Sequence, residues 1–155
     1  MTLGIMMDLA DCTLSFVIWC YFALRILPVR RPVLFVGLTG VCYFLPNGLG
    51  FLYLFLMPEM QVPLAVFAAV CGVSTTLVLP LLFWDGPKLR RIVAMCAMNI
   101  CDGAASALQL VFQEALLGAP VPEYFLDEIV LWSADPIAWV ANELIYALAA
   151  VSLMT

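Results

Sequence analysis

Lys88-Leu89-Arg90-Arg91-Ile92-Val93-Ala94-Met95-Cys96-Ala97-Met98-Asn99-Ile100-Cys101-Asp102-Gly103-Ala104-Ala105-Ser106-Ala107-Leu108-Gln109-Leu110-Val111-Phe112-Gln113 opens on a basic cluster and then stays apolar for the length of a bilayer. Inside it Asn99, Asp102, Ser106, Gln109 and Gln113 recur at steps of three and four, which puts them on one face of a helix. That face is expected to be wet or paired, and the others to meet lipid. Gly103 and Ala107 beside the stripe form a small-x-x-x-small pair, which predicts close approach of a second helix. Asp102 lies roughly 20 Å along the helix from Leu89, near the bilayer centre, where a carboxylate costs about 2.5 to 3.5 kcal/mol on insertion scales. It needs a partner, a proton or a role.

Working outward, the whole chain shares this character. The 155 residues are 66% hydrophobic and 11% charged, with mean hydropathy +1.11, which indicates a polytopic membrane protein. The six basic residues occupy two places, Arg25, Arg30 and Arg31 in one and Lys88, Arg90 and Arg91 in the other, so two short loops should face the cytoplasm. The fold expected is an all-α integral membrane bundle of about five transmembrane helices, over residues 8–27, 33–56, 64–84, 89–112 and 137–155. It forms a single polytopic domain over 1–155, in the inner (plasma) membrane, with the amino terminus outside and the carboxy terminus cytoplasmic.

The connections carry further expectations. Asp8, Asp11 and Ser15 recur with helical spacing near the outer end of the first span, where capping and interfacial solvation account for them. Pro46-Asn47-Gly48-Leu49-Gly50 should kink or break the second span, because proline removes a backbone hydrogen bond. Ser74, Thr75 and Thr76 can bond back to the third, and Trp84-Asp85-Gly86-Pro87 should end it with an interfacial aromatic and a turn. The long outer loop 114–135 carries Glu114, Glu123, Asp127, Glu128 and Asp135 without a basic residue. Its stretch 122–132 could form a short interfacial helix, a lid or simple packing. Asp135-Pro136 reads as the cap and first residue of the last span. That span ends without a basic cluster, as the membrane part of a longer protein would.

The polar residues define the candidate site. Asn99, Asp102, Ser106 and Gln109 from one span and Asn142 and Glu143 from the last form an intramembrane cluster. Every basic residue lies at the opposite rim. The acids should therefore be protonated and hydrogen-bonded, or ionised in an outward cavity that accepts a cation; polar glue between helices is the plainer alternative. Catalysis is not expected. The chain has no histidine, no phosphate-binding loop and no zinc spacing, and only Asp102 lies deep enough for a paired-aspartate protease. No metal or other cofactor is implied. The six cysteines fall in apolar spans without a C-x-x-C pair and read as buried free thiols. The expected partners are the lipid bilayer, a small molecule or peptide arriving from outside, and a second copy of the chain. Nucleic acid is not among them, since no basic tail or aromatic-basic interleaving is present.

The turn Trp84-Asp85-Gly86-Pro87-Lys88-Leu89-Arg90-Arg91, between an aromatic-ended span and one with inner polar residues, resembles the membrane sensor domains of bacterial GHKL-type histidine kinases. Those are similar to the peptide-pheromone receptor kinases of quorum sensing. The resemblance implies a sensing domain that precedes a cytoplasmic helical region and an ATP-binding kinase domain. From a different class, the substrate-binding membrane subunits of energy-coupling-factor vitamin transporters are similar in size, though they usually have about six spans. A membrane scaffold is a third reading.

Overall fold

The computed structural model describes residues 2–56, 61–117 and 135–155, with side chains at 6–7, 9–46, 48–49, 66–115 and 135–155. Six α-helices follow one another there: α1 Thr2–Ile26, α2 Pro32–Leu56, α3 Gln61–Val73, α4 Leu79–Phe83, α5 Lys88–Leu117 and α6 Pro136–Met154. A π-helical turn, Ser74–Val78, joins α3 to α4 without a break. Four stretches are long and apolar enough to cross a membrane: Leu9–Ile26, Val66–Phe83, Lys88–Ala115 and Pro136–Met154. In α2 the apolar part with described side chains is the shorter Pro32–Pro46.

Several helix ends differ from the sequence expectation. α1 begins at Thr2, so Asp8 and Asp11 lie inside the helix rather than at its cap. α5 continues past Phe112 to Leu117 and takes in Glu114. The last helix starts as expected, with the Asp135 carboxylate accepting a hydrogen bond from the Ala138 amide at 3.0 Å and Pro136 in the first turn. The stretch 122–132, expected as an interfacial helix or lid, lies outside the described residues.

The two prolines behave oppositely. α2 runs on through Pro46, so of the expected kink or break the break is absent. Instead the helix widens just before Pro80, where the Leu79 amide reaches back five residues to the Ser74 carbonyl. Pro80 cannot donate a hydrogen bond, and its ring would crowd the carbonyl four residues earlier; an extra residue in the turn relieves that clash. Ser74, Thr75 and Thr76 turn their hydroxyls onto the carbonyls of Val70, Cys71 and Gly72 at 2.7, 3.0 and 2.9 Å, as hydroxyl side chains in apolar helices tend to do.

Among the described residues several polar side chains share the interior with the aromatic core, and many large apolar ones are outside. Thr39, Thr75, Gln113, Asn142 and Glu143 are buried, whereas Ile100, Ile137 and Leu148 are exposed. Exposed large apolar side chains on long helices are compatible with a multi-pass membrane protein.

Contacts divide the chain into two compact units, Trp19–Ala97 and the combination of Met1–Ile18 with Met98–Thr155. In the unit Trp19–Ala97, Trp19 stacks on Phe35 at 5.9 Å and Phe35 meets Phe83 at 5.9 Å, while α2 packs closely on α3. The two basic turns of this unit are stitched together. The Arg30 amide donates to Phe83 O at 2.9 Å, and the Asp85 amide to Pro28 O at 2.8 Å. Trp84, expected at an interface, is instead fully buried, and its indole N–H donates to Ala23 O at 2.9 Å. Burying the indole with its one donor satisfied turns an anchor into a pin. Gly86 follows at φ +123°, a conformation that L side chains rarely adopt, which lets the chain reverse into α5. The Arg30–Asp85 ion pair that caps the turn is exposed and adds little by comparison.

Candidate functional site

The polar stripe of α5 lies on its inner face. Asn99, Asp102, Ser106 and Gln109 are half-buried and Gln113 is buried, while Ile100, Gly103, Ala107, Leu108 and Leu110 to Phe112 are exposed. The three-and-four spacing therefore gave the correct face. The small-residue pair did not. Gly103 and Ala107 are exposed, and a Cβ added at Gly103 would meet nothing within 4 Å. No close helix interface forms on them among the described residues, because the stripe meets α6 through long side chains rather than through bare backbone.

Those side chains make two connected sets, both in the unit formed by Met1–Ile18 and Met98–Thr155. In the first, the Tyr146 hydroxyl donates to Asp102 Oδ1 at 2.9 Å, and Ser15 hydrogen-bonds the same phenol. In the second, Gln109 Nε2 donates to Glu143 Oε1 at 3.2 Å and Asn142 Nδ2 reaches the same oxygen at 3.4 Å. Asp11 hydrogen-bonds Glu143 as well. Two carboxyl groups can share a hydrogen bond only when one of them carries a proton. Gln113 stands one turn beyond Gln109, 3% exposed, and its side-chain nitrogen has no partner among the described residues.

Asp102, Gln109, Asn142 and Glu143 thus all take part in contacts between α5 and α6, or beside them, and Asn99 and Ser106 lie on the same face. Sequence reasoning left out three contributors. Tyr146 is one turn from Asn142 and Glu143 on α6, a spacing that could have flagged it. Asp11 and Ser15 were assigned to solvation near a helix start, but they sit within α1 and bond to α6 side chains.

What the arrangement offers is a set of carboxyl, amide and phenol groups hydrogen-bonded to one another. This unit contains none of the six basic residues, whereas Asp8, Asp11, Asp102, Glu114, Asp135 and Glu143 among the described residues belong to it. Among the described residues no three His, Cys, Asp or Glu side chains stand close enough together to hold a metal ion. All six cysteines are free thiols. Cys20 and Cys71 are buried, but Cys96, expected to be buried like the rest, is exposed on α5. No family model matches this chain, and no curated protein or solved structure matches it either.

Proposed function

We propose that this chain is the membrane-embedded, non-catalytic sensing domain of a bacterial signal-transduction protein, and that it recognises a positively charged ligand from the outer side. The observation that carries the reading is the set of three carboxyl side chains, Asp11, Asp102 and Glu143. They come from three apolar helices and are tied to one another or to Tyr146, Gln109 and Asn142, in a unit without a single basic residue. Carboxyl groups kept at membrane depth without a cation are costly, and a ligand's cationic group would relieve that cost. The positive-inside rule supports the orientation, since it sets the basic turns in the cytoplasm and the acidic connection between α5 and α6 outside. The likeness of 84–91 to sensor-kinase membrane domains supports signalling over the transporter-subunit reading.

The test has two arms. The protein is reconstituted in nanodiscs and titrated by calorimetry with a polyamine (spermidine) and with a short lysine-rich peptide. Binding to the parent, weakened about tenfold or more by Glu143→Gln or Asp102→Asn, is the expected result; each tenfold corresponds to about 1.4 kcal/mol. Equal binding by parent and variants would remove the carboxyl groups from recognition. Proteoliposome uptake of the same probe would favour the transporter reading. For orientation, single cysteines at Pro120 and Lys88 in a cysteine-free background should label from outside and inside respectively, and the reverse pattern would overturn the topology.

A further inference from the structure

At the basic end of the unit Trp19–Ala97, the cations divide into used and unused. Arg30 pairs with Asp85, the Arg25 guanidinium hydrogen-bonds the Tyr21 hydroxyl and lies over its ring, and Arg91 donates to Leu81 O. Arg31, Lys88 and Arg90 are exposed, and their side chains have no partner among the described residues. The backbone bonds between residues 28–30 and 83–85 tie the two turns together, so Arg31 and Lys88 each lie a few residues from one shared ladder. This end of the unit is strongly positive.

Directly below Arg31 an apolar groove of about 630 Å³ runs down α2, lined by Val33, Leu34, Gly37, Leu38 and Val41. Gly37 forms its floor. A Cβ there would meet nothing within 4 Å, so the absent side chain leaves a notch between its larger neighbours. Val33 at the mouth is 86% exposed. From Arg31 to Val41 is ten residues, roughly 15 Å of helix, which equals about one leaflet of a 30 Å hydrocarbon core. A cation at one end of an open apolar groove about one leaflet long is complementary to an anionic lipid.

We infer that the α2 groove holds one acyl chain of an anionic phospholipid whose phosphate pairs with Arg31, with Lys88 and Arg90 adding to the local field. A guanidinium can bind phosphate oxygens in a bidentate fork, which an exposed lysine cannot reproduce. A second copy of the chain is the rival occupant. Related by a two-fold axis along the bilayer normal, it would set Arg31 against its own symmetry mate, a like-charge contact that the lipid phosphate avoids.

The experiment uses the whole chain, delipidated in detergent and exposed to equimolar dioleoyl phosphatidylglycerol and dioleoyl phosphatidylcholine, with bound lipid read by native mass spectrometry. Retention of phosphatidylglycerol about fivefold over phosphatidylcholine is expected, the ratio that about 1 kcal/mol per basic residue near an anionic surface gives. Arg31→Gln should bring the ratio close to one, and Arg31→Lys should restore part of it. Gly37→Leu, which fills open space and leaves the fold intact, should lower retention of both lipids while keeping their ratio. Equal retention by the parent, or a ratio unmoved by Arg31→Gln, would overturn the site. So would a dimer in the spectrum that Gly37→Leu abolishes, because the groove would then belong to a second copy. Displacement of phosphatidylglycerol by millimolar inorganic phosphate alone would reduce the site to a phosphate contact and remove the acyl chain from it.

Discussion

The unit Trp19–Ala97 and the unit formed by Met1–Ile18 with Met98–Thr155 each take part of α1 and α5 and are held by different chemistry. In the first, aromatic rings fill the interior and the charges gather at one end, where Asp85 finds Arg30 and the remaining cations are free to meet an anion. In the second, the charges are all acidic and some lie deep, so they can be satisfied only by neutral donors or by one another. Packing carries the basic unit, and hydrogen bonds specify the acidic one.

The sharpest way to break the comparison is at Trp84. It is fully buried and its indole is committed to Ala23 O, so Trp84→Ala should cost about 3–5 kcal/mol, the usual range for removing a large core aromatic. Thermal unfolding in detergent micelles measures it. Loss of no more than about 0.5 kcal/mol, within the surface-substitution range, would mean that the turn is held by its exposed ion pair instead.

Next in size is Gly86. Alanine at φ +123° is strained by about 1–3 kcal/mol, and the strain falls on the turn that joins the two basic clusters. Gly86→Ala should lower the melting temperature and speed proteolysis between α4 and α5, while leaving ligand titrations of the acidic unit unchanged. An equal loss in both readouts would show that the two units do not act separately.

A smaller effect is expected at Tyr146. Tyr146→Phe removes only the hydroxyl that joins Ser15 to Asp102, and intramembrane hydrogen bonds of this kind average about 0.6 kcal/mol, with a maximum near 1.7. Stability should fall by that amount, and the cycle of Tyr146→Phe with Asp102→Asn should be non-additive. Strict additivity would separate the phenol from the carboxylate. A loss larger than that of Trp84→Ala would invert the comparison altogether.

How much of this was legible beforehand follows from what a one-dimensional pattern can carry. The inner face of α5 was, because Asn99 to Gln113 keep helical phase along one element and burial respects that phase. The cap at Asp135 was, because a cap is local. The widening before Pro80 was not: Pro46 and Pro80 offer the same missing donor, yet the π-helical turn forms only at Ser74–Val78 among the described residues. In the candidate site the acids of α5 and α6 stood out by their cost, yet Asp11, Ser15 and Tyr146 did not, since their role depends on which helices are neighbours. Trp84 failed for a related reason: a tryptophan beside a turn is usually an interfacial anchor, and its burial depends on a carbonyl 61 residues away.

The smallest expected effect is the most discriminating one for the acidic unit. Gly103 sits on α5 immediately beside Asp102, and its small-residue spacing with Ala107 is the pattern of a tight helix contact. In this structure the position is open, with nothing within 4 Å of an added Cβ, so the contact that joins α5 to α6 runs through side chains on the other face. Gly103→Leu should therefore leave the hydrogen-bonded sets in place. The cost should stay within about 0.5 kcal/mol, since an exposed substitution that touches no neighbour does little and leucine is the better helix former. Thermal unfolding of the variant checks this in dilute detergent and again at high protein concentration in lipid. A loss of several kcal/mol in dilute detergent would mean that a helix of the same chain lies on Gly103 and that the α5 face is wrongly assigned. A change confined to the concentrated lipid sample would instead place a second copy there, and the exposed Gly103–Ala107 edge would be where two acidic units meet.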